Sequence, residues 1–112
     1  MNFLVDGAML HEQEILTLYD YMDRNYILPP AYDKERYEKV SFGRWAIEEV
    51  IGLLADHPDK DAGSIIQEFA ITLRAMAIRK STVSYIFEIA ADTVDEIGAL
   101  LGETEVWNYE RV

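Results

Sequence analysis

The stretch from residue 83 to residue 102, VSYIFEIAADTVDEIGALLG, decides the fold. Its apolar residues recur at steps of four and three, which is the spacing of one face of an α-helix. Gly102 follows the last of them, and a glycine at this position is typical of a helix C-cap. The sequence therefore predicts an amphipathic helix over residues 82–101, with a buried face formed by Val83, Phe87, Ala90, Val94, Ile97 and Leu101.

Three earlier segments show helical spacing as well. Glu14 stands three positions after His11, where a capping box places an acid, and Ser41 is a common N-cap residue. A chain of 112 residues with no internal repeat is expected to form one domain, residues 1–112. The prediction is an all-α four-helix bundle with helices at roughly residues 11–25, 42–55, 62–80 and 82–101.

The segment between the first two predicted helices, residues 26–40, is rich in tyrosine and basic residues. Two prolines at its start end the first helix, and residues 33–39 are predicted to form at most a short helical turn. Long connections are often functional, and aromatic residues beside basic ones suit a contact surface. Tyr32, Arg36 and Tyr37 are therefore candidate partner-binding residues. The alternative is that the tyrosines cover the core with their hydroxyls in water.

The third predicted helix is apolar on nearly every side, which is typical of a central helix or of one shared with another chain. This pattern predicts a homodimer formed through Ile66, Phe69, Leu73 and Met76. The apolar spacing continues through Lys80 into the fourth helix, so one long helix is an alternative. The poor helix formers at residues 81–84 favour a break between the two.

The charge of the chain is strongly negative, with ten Lys and Arg against 21 Asp and Glu and a net charge of −11. This charge argues against direct binding to nucleic acid or to an anionic membrane. No apolar run approaches the roughly 18 residues of a membrane span, and the first ten residues do not resemble a signal peptide. With no cysteine either, a cytoplasmic location is expected.

The fourth helix carries acidic residues at one-turn spacing. Glu88, Asp92 and Glu96 stand at i, i+4 and i+8, with Asp95 beside them. Like charges at this spacing repel, so solvent, a basic surface such as Arg74, or an external partner should offset them. These four acids are the strongest candidate interaction site in the sequence. The alternative is an acidic face that is simply solvated.

No residues in the sequence form a recognisable catalytic or metal-binding set. The two histidines, His11 and His57, lack the further ligands at suitable spacing that a metal site needs, and no nucleophile motif or phosphate-binding loop is present. The sequence predicts neither an enzyme nor a metal or cofactor site. It favours a non-catalytic, self-associating protein-interaction module. The alternative is an acidic inhibitor, immunity-like or antitoxin-like, that blocks a basic nucleic-acid-binding or nuclease partner.

Overall fold

The computed structural model of the protein describes residues 11–79 and 81–102, apart from the side chain of Ser81. This part of the chain forms four α-helices and one short 3₁₀ turn and contains no strand. The predicted all-α four-helix bundle is therefore confirmed. The helices are α1 (Glu12–Asn25), α2 (Lys34–Asp56), α3 (Ala62–Arg79) and α4 (Ser84–Gly102), with the 3₁₀ turn (Ser81–Val83) before α4.

Consecutive helices run antiparallel, as short connections require. At the start of α1, His11 donates a hydrogen bond from Nε2 to the backbone oxygen of His57, which follows α2, at 3.0 Å. At the C-terminal end of α1, Arg44, which lies midway along α2, donates to the backbone oxygen of Tyr26 at 2.9 Å. The α1–α2 and α3–α4 connections therefore lie together at one end of the bundle, here called the connection end. The opposite end, with His11 and the α2–α3 turn, is called the His57 end.

The core lies where α2 crosses the α3–α4 pair, with α1 packed over it. The predicted face of α4 is confirmed, because Ala90, Val94, Ile97 and Leu101 have no exposed surface. The largest fully buried side chains come from all four helices. They are Leu18, Ile47, Val50, Leu54, Leu73, Val94, Ile97 and Leu101.

The second helix starts earlier than the sequence predicts. It begins at Lys34 rather than at residue 42, so Ser41 lies inside it and the connection spans only residues 26–33. The prediction of a connection over residues 26–40 was wrong because the first two turns of α2 have no buried side chain. They project beyond the core, and a helix that buries nothing shows no apolar periodicity.

The predicted break between the third and fourth helices is confirmed. α3 ends at Arg79, and the 3₁₀ turn at residues 81–83 reverses the chain into α4. α3 and α4 then pack along their length, with Ile66 against Gly98 and Arg74 against Asp92. The apolar spacing that continues from the third helix into the fourth is thus divided between two antiparallel helices that pack against each other.

The predicted homodimer face of α3 lies largely inside the chain. Ile66 and Leu73 are 4% and 1% exposed and belong to the core. Phe69 packs against Trp45 with ring centroids 6.2 Å apart, and Met76 is half-buried. Placing a second copy on Ile66 and Leu73 was wrong, because α4 already covers them.

No described helix is long and apolar enough to cross a membrane.

Candidate functional site

The outer side of α4 presents the four predicted acidic residues, here called the acidic face: Glu88, Asp92, Asp95 and Glu96. All four side chains are exposed. Arg74 of α3 forms ion pairs with Asp95 and, at 3.3 Å, with Asp92. The sequence named Arg74 as one residue able to offset the repulsion, and the α3–α4 packing places it between two of the carboxylates. One guanidinium against four carboxylates leaves the face negative.

Glu96 connects the acidic face to α1. Tyr26 donates a hydrogen bond from its hydroxyl to Glu96 Oε1 at 2.9 Å, and the hydroxyl of Tyr21 donates to Oε2. Partial burial raises the pKa of Glu96, because its charged form is partly removed from water. The two tyrosines are neutral donors, so no basic side chain neutralises this carboxylate in the described part of the chain. No sequence pattern indicated this contact, which joins residues 70 positions apart.

A cavity of about 490 Å³ opens between α1, α2 and α4 beside the acidic face. The rings of Tyr21 and Tyr26, whose centroids are 6.1 Å apart and whose planes are tilted by 52°, form one side. Asp92 and Glu96 line another side, and Lys39 lies at the cavity as well. Aromatic rings and carboxylates together favour a cationic group such as a lysine or arginine side chain.

The connection end exposes large apolar and aromatic side chains. Tyr32 is 90% exposed, Ile78 82% and Ile27 69%, and Leu28, Tyr37 and Tyr85 are also exposed there. An exposed apolar surface of this kind is typical of an interaction site. Of the predicted contact residues, Tyr32 lies in the connection and Arg36 and Tyr37 lie in the first turn of α2. The alternative role for the tyrosines, covering the core, is taken instead by Tyr26.

An aromatic groove of about 380 Å³ lies between α2 and α4, next to the connection end. Phe42 contacts Tyr85 edge to face, with ring centroids 6.2 Å apart. Trp45 is 39% exposed and Phe42 is half-buried. The groove is lined by Ser41, Phe42, Trp45, Ile86 and Phe87.

The two sets of predicted contact residues do not form one site. No hydrogen bond or ion pair joins Tyr32, Arg36 or Tyr37 to the acidic face among the described residues, and Arg36 pairs instead with Asp33 at 3.2 Å. From residues 26–40, Tyr26 bonds to Glu96, and Tyr26, Lys39 and Val40 line the cavity beside the acidic face. The molecule therefore offers two separate candidate surfaces.

The His57 end contains two buried polar side chains. His11 is 3% exposed and Glu14 is 4% exposed. His11 Nδ1 and Glu14 Oε1 are buried without a hydrogen-bond partner among the described residues. Desolvation is the main cause that raises the pKa of Glu14; Asp61 adds to the shift, while a backbone hydrogen bond and His11 oppose it. The sequence predicted a capping role for these residues, but His11 makes no side-chain cap.

The polar turn at this end serves as a helix connection. Asp61 accepts a hydrogen bond from the backbone N–H of Ser64 at 3.0 Å, which caps the start of α3. Over residues 11–79 and 81–102, no three His, Asp or Glu side chains are grouped so that they would hold a metal ion.

The fold and these surfaces define the class: an up-and-down four-helix bundle with a negatively charged outer face. No protein-family model matches the chain, and no curated protein or solved structure is similar to it.

Proposed function

We propose that this protein is a non-catalytic protein-interaction module and that its acidic face binds a basic partner protein. The observation that carries the proposal is the set of four exposed carboxylates on one face of α4, of which Asp92 and Asp95 are paired with the guanidinium of Arg74. The remaining negative charge attracts a basic surface and accelerates its approach.

The acidic face is held in place before a partner arrives. Arg74 fixes Asp92 and Asp95 from α3, and the hydroxyls of Tyr21 in α1 and of Tyr26 directly after it fix Glu96. Side chains that are already ordered lose little conformational entropy on binding, which favours affinity. The polar groups bond to one another across helices, which suits a recognition surface.

The cavity beside Glu96 is the point where one lysine or arginine side chain of the partner enters. Among the described residues, the Glu96 carboxylate accepts hydrogen bonds from neutral hydroxyls only. An incoming cation would therefore add a charge-assisted hydrogen bond, which is stronger than a neutral one. The rings of Tyr21 and Tyr26 add a cation–π contribution of about 0.5–1 kcal/mol at an exposed site.

The test is the affinity for a fluorescein-labelled peptide of alternating arginine and glycine, measured by anisotropy at low and high salt. The variant Glu88→Gln, Asp92→Asn, Asp95→Asn removes three charges from the acidic face. At about 0.5 kcal/mol for each charge, the peptide should bind roughly tenfold more weakly. The expected wild-type affinity also falls as salt rises.

The matched control removes three exposed charges elsewhere, with Glu12→Gln, Glu48→Gln and Glu49→Gln. It changes the net charge by the same amount, so it should reduce affinity much less than the acidic-face variant. Equal losses in the two variants would show that only the net charge matters and would sink the proposal. Melting curves of both variants report whether the fold is intact.

A second, narrower candidate is an acidic inhibitor that blocks a nucleic-acid-binding or nuclease surface. The net charge of −11 and the acidic face support it. The arginine peptide is first bound to a labelled DNA duplex, and the protein is then added. An inhibitor of this class releases the duplex, and the acidic-face variant releases less of it. If the protein binds the peptide while the DNA stays bound, the narrower candidate is wrong and the interaction module stands.

A further inference from the structure

We propose that the connection end is the surface through which two copies of this protein associate. The predicted face on α3 is largely occupied by α4, so a dimer needs another apolar surface. The proposal concerns a different surface from the acidic face and goes beyond the function proposed above.

The exposed apolar side chains are concentrated at this end. Of ten large apolar or aromatic side chains that are exposed in the described part of the chain, six lie at the connection end. The aromatic groove beside Tyr85 continues this surface, and Trp45 at the groove is a seventh. The six are Ile27, Leu28, Tyr32, Tyr37, Ile78 and Tyr85.

The charge of the molecule favours this end for contact with a second copy. Each copy carries a net charge of −11, so two acidic faces repel each other. Residues 24–44 hold five basic and three acidic side chains, whereas the rest of the chain as a whole holds five basic and 18 acidic ones. Arg24 pairs with Asp20 at 3.0 Å and Arg36 with Asp33 at 3.2 Å, so several of these charges are already balanced. Electrostatic repulsion between two copies is therefore smallest when they meet through their connection ends.

The remaining charges suit a symmetric pair. Lys34, Glu35, Glu38 and Lys39 supply two positive and two negative charges to the first turns of α2, and all but the half-buried Glu38 are exposed. In a two-fold dimer the same patch meets itself, so it must offer both signs of charge. A rotated copy of this helix start can place a carboxylate near each ammonium, which a patch of a single sign does not allow.

The size of the end is sufficient for a dimer. The described bundle measures 50 × 30 × 26 Å, and α2, with 23 residues, is about 34 Å long, so it runs mainly along the longest axis. The two shorter dimensions, 30 and 26 Å, limit the cross-section of this end to at most about 780 Å². A standard interface buries about 800 Å² on each partner.

The experiment is sedimentation equilibrium of the full chain over a wide range of concentrations, at low and high salt. The wild type is expected to be a dimer, twice 12.9 kDa, and added salt should strengthen it by screening the repulsion between copies. The variant Tyr32→Gln/Ile78→Gln removes two exposed apolar side chains without changing the charge. It should raise the dimer Kd about a hundredfold.

The matched control is Leu16→Gln/Ile71→Gln. These residues are also exposed, 56% and 61%, but they lie on the sides of α1 and α3. The control should remain a dimer with the wild-type Kd. A wild type that is monomeric at every concentration overturns the proposal, as does a dimer that only the control variant disrupts.

The wild type and the Tyr32→Gln/Ile78→Gln variant also test whether the connection end binds something other than a second copy. Binding of a monomeric wild type to phosphatidylglycerol vesicles, lost in Tyr32→Gln/Ile78→Gln, would identify the end as a lipid-binding surface and overturn the proposal. Binding of a labelled glutamate-rich peptide by a monomer would identify an acidic partner, with the same consequence. The arginine-peptide assay uses different residues, so the acidic-face proposal stands or fails separately.

Discussion

At the connection end Tyr32 and Ile78 are exposed to solvent, whereas at the His57 end His11 and Glu14 are buried. The connection end exposes apolar side chains, and the His57 end buries polar ones, so both ends depart from the usual burial of apolar residues and exposure of polar residues. An exposed apolar side chain destabilises the folded state little. It contributes favourable free energy only when another surface covers it and removes it from water. A buried polar side chain without its hydrogen bonds destabilises the folded state continuously. The connection end is therefore the place to look for association, and the His57 end the place to look for pH-dependent stability.

The largest expected contrast is between a buried and an exposed apolar side chain at the two ends. Leu54, in the last turn of α2 at the His57 end, has no exposed surface. Leu54→Ala should lower the free energy of unfolding by about 2–5 kcal/mol, because it leaves a cavity. Ile78→Ala at the connection end should change it by less than about 0.5 kcal/mol. Urea unfolding of the monomer, followed by circular dichroism, measures both, and similar losses would contradict the contrast.

The next effect concerns two glycines of α2. A Cβ at Gly43 would lie 3.0 Å from Thr93 Oγ1 and closer still to the ring of Tyr26, whose hydroxyl is bonded to Glu96. Gly43→Ala should cost about 1–3 kcal/mol through overpacking. Gly52 has nothing within 4 Å of the corresponding position, so Gly52→Ala should stabilise by about 0.5–1 kcal/mol. Stabilisation by Gly43→Ala in a thermal melt would show that α2 is not packed tightly at Gly43, whereas destabilisation by Gly52→Ala would contradict the prediction for Gly52.

A smaller effect is expected at the buried acid of the His57 end. Glu14→Gln removes a desolvated charge and should raise the free energy of unfolding by about 1 kcal/mol at neutral pH. Glu12→Gln, two residues earlier on the same helix and exposed, is the control and should change it very little. A loss of stability in Glu14→Gln would mean that the ionised carboxylate is needed in the fold.

The pH dependence of stability follows from the same residue. Burial raises the pKa of Glu14 in the folded state, so the folded form takes up a proton more readily than the unfolded chain. The wild type should therefore gain stability from this group as the pH falls from neutral towards the ordinary value of 4.5. Glu96, whose pKa is also raised, should act in the same direction. Glu14→Gln should show a smaller gain over that range, and an unchanged slope would refute the assignment.

The smallest expected change in stability is at the acidic face. Arg74→Gln removes two exposed ion pairs and should lower the free energy of unfolding by less than about 1 kcal/mol. The same variant should bind the arginine peptide more tightly, because the carboxylates lose the cation that pairs with them. Weaker peptide binding would mean that Arg74 holds the face in its binding geometry more than it neutralises it.

Part of the candidate site follows from the sequence. The one-turn spacing of Glu88, Asp92 and Glu96 places them on one face of α4 in any helical fold, and Arg74 was among the basic residues expected to offset them. Their contacts with Tyr21 and Tyr26 were not predictable, because no local pattern relates α1 to α4. The early start of α2 was missed for a related reason, since a helix that projects beyond the core leaves no apolar period.

From the sequence alone, the four helices and most of their ends could be predicted, apart from the start of α2. The apolar steps of α4, the prolines after α1 and the poor helix formers before α4 act through neighbouring residues, so they are visible without a structure. The buried face of α3, which is apolar on nearly every side, depended instead on the tertiary structure. Ile66 and Ile71 are both apolar residues of α3, yet one is 4% and the other 61% exposed. The difference arises because burial depends on the element that packs opposite, and that element comes from a distant part of the chain.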